Sequence, residues 1–202
     1  MKIGILGGSF DPIHKAHIYM AKAARKAMQL DQVWLIPAGH SPNKDEGRMT
    51  SAADRLEMVR IAVSGDDSLW ACDEEVVSQE RSYTYRTLEK LTAAYPMHEF
   101  YFIMGGDSLD YFDSWKHPEI IAQLSVILVL VREDFEEEAM QEKIRQMQSL
   151  FPCDIRLIPA PRYDLSSTEI RRRIREEDFC RKHLPEGVYA YIREHGLYAI
   201  NK

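Results

Sequence analysis

The chain has 202 residues, 45% of them hydrophobic and 29% charged, and a formal net charge of −6. That length supports one full hydrophobic core, and the acidic balance argues against general nucleic-acid binding, which relies on a positive footprint. No apolar run approaches membrane-spanning length, and a strand starts at Lys2 with no signal or transit segment ahead of it. Cys72, Cys153 and Cys180 are scattered and form no C-x-x-C pair. The expectation is a reduced, cytoplasmic protein with neither membrane nor nucleic-acid partners. Homo-oligomerisation is left open.

In chain order, Lys2–Leu6 reads as the first strand and Ile18–Leu30 as the first helix. Between them stands Gly7-Gly8-Ser9-Phe10-Asp11-Pro12-Ile13-His14-Lys15-Ala16-His17. A strand, a glycine turn and a helix N-terminus together make an anion site. The glycines allow close backbone approach to a phosphate, and the unpaired first-turn amides and the dipole attract it. His14 and His17, at i and i+3, share one helix face, so both can reach one phosphoryl group and stabilise charge there during reaction. A pair of cap or surface histidines is the plainer alternative. Zinc is a weaker one, because no third ligand stands at metal-site spacing.

Further strands read as Gln32–Ile36, Leu69–Cys72, Glu99–Met104, Val126–Val131 and Asp154–Ile158. Helices read as Ala52–Val63, Thr84–Tyr95, Pro118–Leu124, Glu136–Ser149, Ser167–Glu177 and Gly187–His195, the last ended by Gly196. Strand–helix alternation with near-continuous apolar strands predicts an α/β fold. It is a doubly wound, Rossmann-like parallel sheet with helices on both faces. A C-terminal helical segment, about residues 165–202, completes a single domain spanning 1–202. If the first and fourth strands are neighbours, Gly7-Gly8 and Gly105-Gly106 emerge at adjacent carboxyl ends, flanking one crevice.

Two more stretches carry chemistry. Ser166-Ser167-Thr168-Glu169 opens a helix as a capping box, with Ser166 at the N-cap and Glu169 at N3. Thr168 and Arg171 add a hydroxyl and a guanidinium to that N-terminus, while Ile170 and Ile174 should form its buried side. Arg172, Arg173 and Arg175 read as a solvated face balanced by Glu176 and Glu177. Asp107, at a strand end after two glycines, can accept from the paired hydroxyls of a ribose. A magnesium ligand and a turn-forming aspartate are the alternatives. Tyr111 and Trp115 lie in the polar loop Asp110–Lys116, where a flat indole can stack on a ring.

The signature run resembles that of the nucleotidylyltransferase superfamily, with its H-x-G-H element, and in its extended form the bacterial nicotinate mononucleotide adenylyltransferases. Ser82-Tyr83-Thr84, Gly106-Asp107-Ser108-Leu109 with Phe112 and Trp115, Ser166–Arg171, and the tail Val188–Arg193 follow in the family's order. The resemblance spans nearly the whole chain. It implies transfer of the adenylyl group of ATP to nicotinate mononucleotide, giving deamido-NAD and pyrophosphate, with Mg²⁺ carried by ATP and no dedicated protein metal site. It implies that His14 and His17 are catalytic and that Gly7, Gly8, Ser9, Phe10, Gly106, Asp107, Ser167, Thr168 and Arg171 bind ATP. By the same resemblance Ser167, Thr168 and Arg171 grip the β- and γ-phosphates, and Asp107 meets the ribose. Lys44, Thr84, Tyr111 and Trp115 serve the acceptor, with Trp115 stacking on the nicotinate and the Thr84 amide meeting its carboxylate. The acceptor phosphate is already anionic, so neither a general base nor a covalent nucleophile is needed.

Three positions depart from the family pattern. Ala16 stands where Gly is usual between the histidines, Arg86 where Asp commonly follows Ser-Tyr-Thr, and Asn43 where His precedes Lys44. The rival functions are adenylyl transfer to nicotinamide mononucleotide or phosphopantetheine, and a catalytically silent nucleotide sensor.

Overall fold

The computed structural model describes residues 1–40, 49–78, 80–132, 135–160, 165–176 and 181–199. Six strands are present: β1 (Lys2–Gly8), β2 (Gln32–Pro37), β3 (Leu69–Ala71), β4 (Glu99–Gly105), β5 (Val126–Arg132) and β6 (Ile155–Ala160). They form one sheet in the order β3-β2-β1-β4-β5-β6, with parallel pairing of β1 with β4, β4 with β5, and β5 with β6. The doubly wound α/β expectation is met. So is the neighbouring of the first and fourth strands, which pair from Lys2↔Glu99 to Ile5↔Phe102. Ile3 to Leu6 and Phe100 to Met104 are buried without alternation, as strands covered on both faces must be.

Eight helices are described: α1 (Lys15–Met28), α2 (Ala52–Val63), α3 (Thr84–Ala94), α4 (Gly106–Leu109), α5 (Pro118–Leu124), α6 (Glu137–Leu150), α7 (Ser167–Arg175) and α8 (Val188–Glu194). Two differences from the sequence reading bear on function. The first helix starts at Lys15 rather than Ile18, which puts His17 inside its first turn. Gly106-Asp107 opens the four-residue helix α4, too short to show any periodicity in the sequence. No helix among the described residues is long and apolar enough to cross a membrane.

The chain divides into two compact units. One comprises residues 1–7, 20–34 and 83–162. Its core is built on β4 and β5, with Phe102, Ile103, Leu128, Val129 and Leu88 all buried. The other comprises residues 8–19, 35–82 and 163–202. Here α2 packs on β3 and α8, over Phe10, Ile13, Met58, Val59, Ile170, Val188 and Ile192. Ser51 caps α2 by accepting from the Asp54 amide, and the Tyr191 hydroxyl of α8 donates to Asp54 Oδ1 at 2.8 Å.

Candidate active site

The signature loop turns sharply after β1. Phe10 sits at φ 46, a left-handed conformation that costs a non-glycine residue roughly 1 kcal/mol. Its ring is buried and meets His17 edge-on at 4.9 Å, so packing holds the turn. No described residue lies within 4 Å of where a Cβ on Gly7 would stand, which leaves the backbone there open to approach. Asp11 and His14 are both buried, at 3% and 4% exposure, although each has a charged form.

The two imidazoles stack with centroids 3.7 Å apart and planes 23° from parallel. The His14 amide donates to His17 Nδ1 at 3.2 Å, while the His17 amide donates to the His14 carbonyl at 3.0 Å. The His17 ring thus reaches back to cap the His14 amide at the start of α1, one half of a capping box. It also sets a protonation state. Nδ1 of His17 is an acceptor here, so its proton resides on Nε2, and a second proton at Nδ1 would set donor against donor. Burial, reinforced by the charge of His183, lowers the His14 pKa to about 4, and its Nδ1 is buried with no hydrogen-bond partner among the described residues. Without a bound anion, the His14 ring is therefore neutral at pH 7.

The N-terminus of α7 is tied to the same loop. Ser166 caps it by accepting from the Glu169 amide at 3.2 Å. Glu169 does not reach back to complete the predicted capping box. Its carboxylate is held by Arg172 and Arg173, whose hydrogen bonds lower its pKa to about 2. The Ser167 hydroxyl donates to the Pro12 carbonyl at 3.0 Å. Arg171 donates to the Asp11 carbonyl at 2.6 Å and to the Thr168 hydroxyl at 3.1 Å. Ile170 is buried as expected, but Ile174 is only half-buried, because it lies one turn farther along a short helix. Arg172 pairs with Glu169 and Glu176 on the solvent side.

Sequence reasoning missed three residues here. Arg55 is 2% exposed. Its guanidinium donates to the carbonyls of Ser9 (2.7 Å), Ala38 (2.6 Å), Gly39 (3.3 Å) and Thr50 (3.0 Å). Burial lowers its pKa, yet arginine keeps its charge, so a fixed cation lies behind the loop. A sequence signal was available: Arg55 sits at i−4 and i−8 from buried Val59 and Val63, on the apolar face of α2. The other two are Asp11 itself and Tyr198, whose hydroxyl donates to Asp11 Oδ1 at 2.7 Å.

Of the acceptor-side residues named from the sequence, Thr84, Tyr111 and Trp115 lie in the other unit. Thr84 is the first residue of α3; Tyr83 before it supplies no side-chain cap, and the Thr87 amide donates to the Tyr83 carbonyl at 3.2 Å. Arg86 donates to the Tyr85 hydroxyl at 2.9 Å and lies over the Tyr83 and Tyr85 rings, at 5.9 and 5.8 Å from their centroids. Tyr85 meets His117, the residue before α5, edge-on at 4.7 Å. Trp115 is half-buried, edge-on to Phe112 and Phe102 at 5.5 and 5.9 Å. Tyr111 is 50% exposed beside it. Asp107 is exposed in the first turn of α4. Gly106 lies against β5, where a Cβ would stand in ordinary contact, 3.4 Å from the Leu130 carbonyl and 3.6 Å from Val131. Lys44 lies outside the described residues.

Residues 5–173 match the cytidylyltransferase-like family model. The chain is 34% identical to a probable nicotinate-nucleotide adenylyltransferase of Oceanobacillus iheyensis, over all of this chain and 98% of that one. It is 38% identical to a protein of the same description from Clostridium botulinum (strain Okra / Type B1), over 96% and 97% of the two chains. Among solved structures, Plasmodium falciparum nicotinic acid mononucleotide adenylyltransferase complexed with NaAD superposes with a TM-score of 0.79 at 24% identity. That superposition covers 98% of this chain and 97% of the other.

Proposed function

That this chain belongs to the cytidylyltransferase-like family is the premise from which we propose its reaction. It transfers the adenylyl group of ATP to nicotinate mononucleotide, giving deamido-NAD and pyrophosphate in NAD biosynthesis. The carrying observation is the signature loop. Two stacked imidazoles at the start of α1 and the N-terminus of α7 are fastened to one stretch, Asp11 to His17. Such an array is complementary to a polyphosphate whose α-phosphorus is under attack.

The acceptor phosphate supplies its own oxygen nucleophile, which attacks in line and expels pyrophosphate. Catalysis is therefore positioning plus charge stabilisation. His14 and His17 donate to the non-bridging α-phosphate oxygens, where charge rises in the transition state. Arrival of the anion raises their proton affinity, so the donors strengthen as substrate binds. Gly7, Gly8, Ser9 and Phe10 shape the backbone cradle. Ser167, Thr168 and Arg171 hold the β- and γ-phosphates, and Asp107 accepts from the ribose. Thr84, Tyr111, Trp115 and Lys44 serve the acceptor. Magnesium enters with ATP as part of the substrate and screens the repulsion between the two anions. The described residues contain no group of three His, Cys, Asp or Glu side chains placed to hold a metal of their own. The reaction is cytoplasmic, a setting that suits the free thiols of Cys72 and Cys153.

One assay tests this reading. Pyrophosphate release is measured with MgATP and, in turn, nicotinate mononucleotide, nicotinamide mononucleotide and phosphopantetheine. Release with the first at high efficiency is expected. Release only with another acceptor would reassign the pocket, and nucleotide binding without release would make the chain a sensor.

A further inference from the structure

The carboxyl-terminal turn ends on the signature loop, and its geometry is set residue by residue. Helix α8 stops in a Schellman motif at Gly196 (φ 61), with the Leu197 amide donating to the Ile192 carbonyl at 3.0 Å and the Gly196 amide to Arg193 at 3.3 Å. The chain then places Tyr198 at φ 64, a left-handed conformation that a tyrosine rarely adopts. Its hydroxyl donates to Oδ1 of buried Asp11 at 2.7 Å. Burial and the Asp11 charge push the tyrosine pKa far up, so the hydroxyl remains a donor at any working pH.

Asp11 stands beside Arg171, and the details of that approach matter. Arg171 Nη1 donates to the Asp11 carbonyl at 2.6 Å but lies 3.9 Å from carboxylate Oδ2, beyond hydrogen-bond distance. Nη2 is on Thr168. Two of five donors are therefore engaged and the side chain stays 22% exposed. A buried carboxylate with an unpartnered oxygen draws a neighbouring guanidinium into a two-bond fork. Arg55, the other nearby cation, has its donors committed to four backbone carbonyls. Arg171 is then the group that would be drawn in.

We infer that Tyr198 is a positioning residue for ATP: by holding Asp11 Oδ1, it denies Arg171 the second oxygen of a two-bond fork and leaves guanidinium donors for the substrate phosphates. The inference rests on the assignment of Arg171 to those phosphates. The carboxyl-terminal turn is thus part of the ATP site without touching ATP.

The test compares Tyr198→Phe, Arg171→Ala and Asp11→Asn, singly and in pairs, by steady-state titration of both substrates and by thermal melting. Tyr198→Phe keeps the ring and removes the hydroxyl with its hydrogen bonds to Asp11 and Thr50. It should raise the ATP KM about tenfold, with the acceptor KM and saturated kcat within about twofold. In the Asp11→Asn background the same change should have less than about a twofold effect, because a neutral amide does not draw in a guanidinium. Gly196→Ala, which strains the turn but keeps the hydroxyl, should move the ATP KM in the same direction. An unchanged ATP KM in Tyr198→Phe, where Arg171→Ala raises it, overturns the positioning role alone. Both KM values rising together with a large fall in melting temperature also overturns it, in favour of a structural role. If Arg171→Ala itself leaves the ATP KM unchanged, the phosphate assignment fails and takes this inference with it.

Discussion

The loop around Asp11 and His14 and the aromatic group around Trp115 are held in opposite ways. In the first, side chains are buried and fastened to backbone: Ser167 to Pro12, Arg171 to Asp11, and Arg55 to four carbonyls. In the second, Tyr111 is half exposed, Trp115 keeps part of its surface open and packs by its ring edge on Phe102 and Phe112, and the hydrogen bonds of Tyr111 are to the nearby Ser108 and Ser114. The contrast fits the roles proposed for the two regions. Charge that develops on a phosphate is stabilised only by donors already aimed at it, since reorienting them during reaction costs what they would gain. A planar ring needs an accessible flat face, and stacking tolerates small shifts.

The sharpest way to break this comparison is to remove a fixed donor. His17→Ala should lower kcat by about two to three orders of magnitude, the usual loss for a donor to transition-state charge. The variant should still fold, losing about 1 kcal/mol for the cap that Nδ1 gives the His14 amide. Rapid-quench or pyrophosphate-release kinetics beside a melting curve separate the two effects. Near-normal turnover would remove the imidazoles from the chemistry.

Burial of His14 makes stability depend on pH in a stated direction. Its pKa is about 4 in the folded chain against 6.5 unfolded, so between those values the unfolded chain binds a proton that the folded chain refuses. Stability contributed by the neutral ring is complete above pH 6.5 and falls as pH drops toward 4, by about 3 kcal/mol. Denaturant melts of the ligand-free protein across this window, beside His14→Asn, should show a slope that the variant lacks. Parallel slopes would mean that the ring is charged or hydrated in the fold, contrary to its burial.

On the aromatic side the expected discrimination is chemical. The Thr84 and Tyr85 amides at the start of α3 are donors, and Arg86 on the same turn adds positive charge. A carboxylate satisfies them, whereas a carboxamide turns an NH₂ toward at least one donor, at about 1–3 kcal/mol, and forfeits the charge. Nicotinate mononucleotide should be preferred over the amide by at least about a hundredfold in kcat/KM. Equal efficiencies would defeat the pocket assignment and leave adenylyl transfer standing.

The same contrast explains what was legible in the sequence. The β1 turn and the start of α7 announce themselves locally, through two glycines, a pair of histidines and Ser166 three residues before Glu169. The parallel sheet followed from the alternation of elements, whereas the pairing of β1 with β4 was an assumption that the structure meets. The fastening of the loop was not legible, because its partners are remote: Arg171 lies 160 residues from Asp11, and Tyr198 lies 187. No periodicity links residues so far apart; only tertiary packing does. Helix α4 escaped because four residues cannot display a helical pattern. The tyrosine clamp on Arg86 escaped for a different reason. Charge alone could not say whether it points to solvent or across Tyr83 and Tyr85.

The smallest expected effect sharpens the comparison most, because it separates stacking from packing at one residue. Trp115 has two jobs: its edge packs against Phe102 and Phe112, and its open face is assigned to the nicotinate ring. Trp115→Ala removes both, so a loss of stability is expected along with weaker acceptor binding. Trp115→Phe retains an aromatic edge against Phe112 but presents a smaller face. An aromatic pair contributes about 0.5–1.5 kcal/mol beyond its buried area, so Trp115→Phe should raise the acceptor KM by about two- to tenfold. Its melting temperature should stay close to that of the unmodified chain, and the ATP KM should not move. A rise in the ATP KM would place the indole against the adenine nucleotide instead, and a melting loss with neither KM altered would make Trp115 a core residue only.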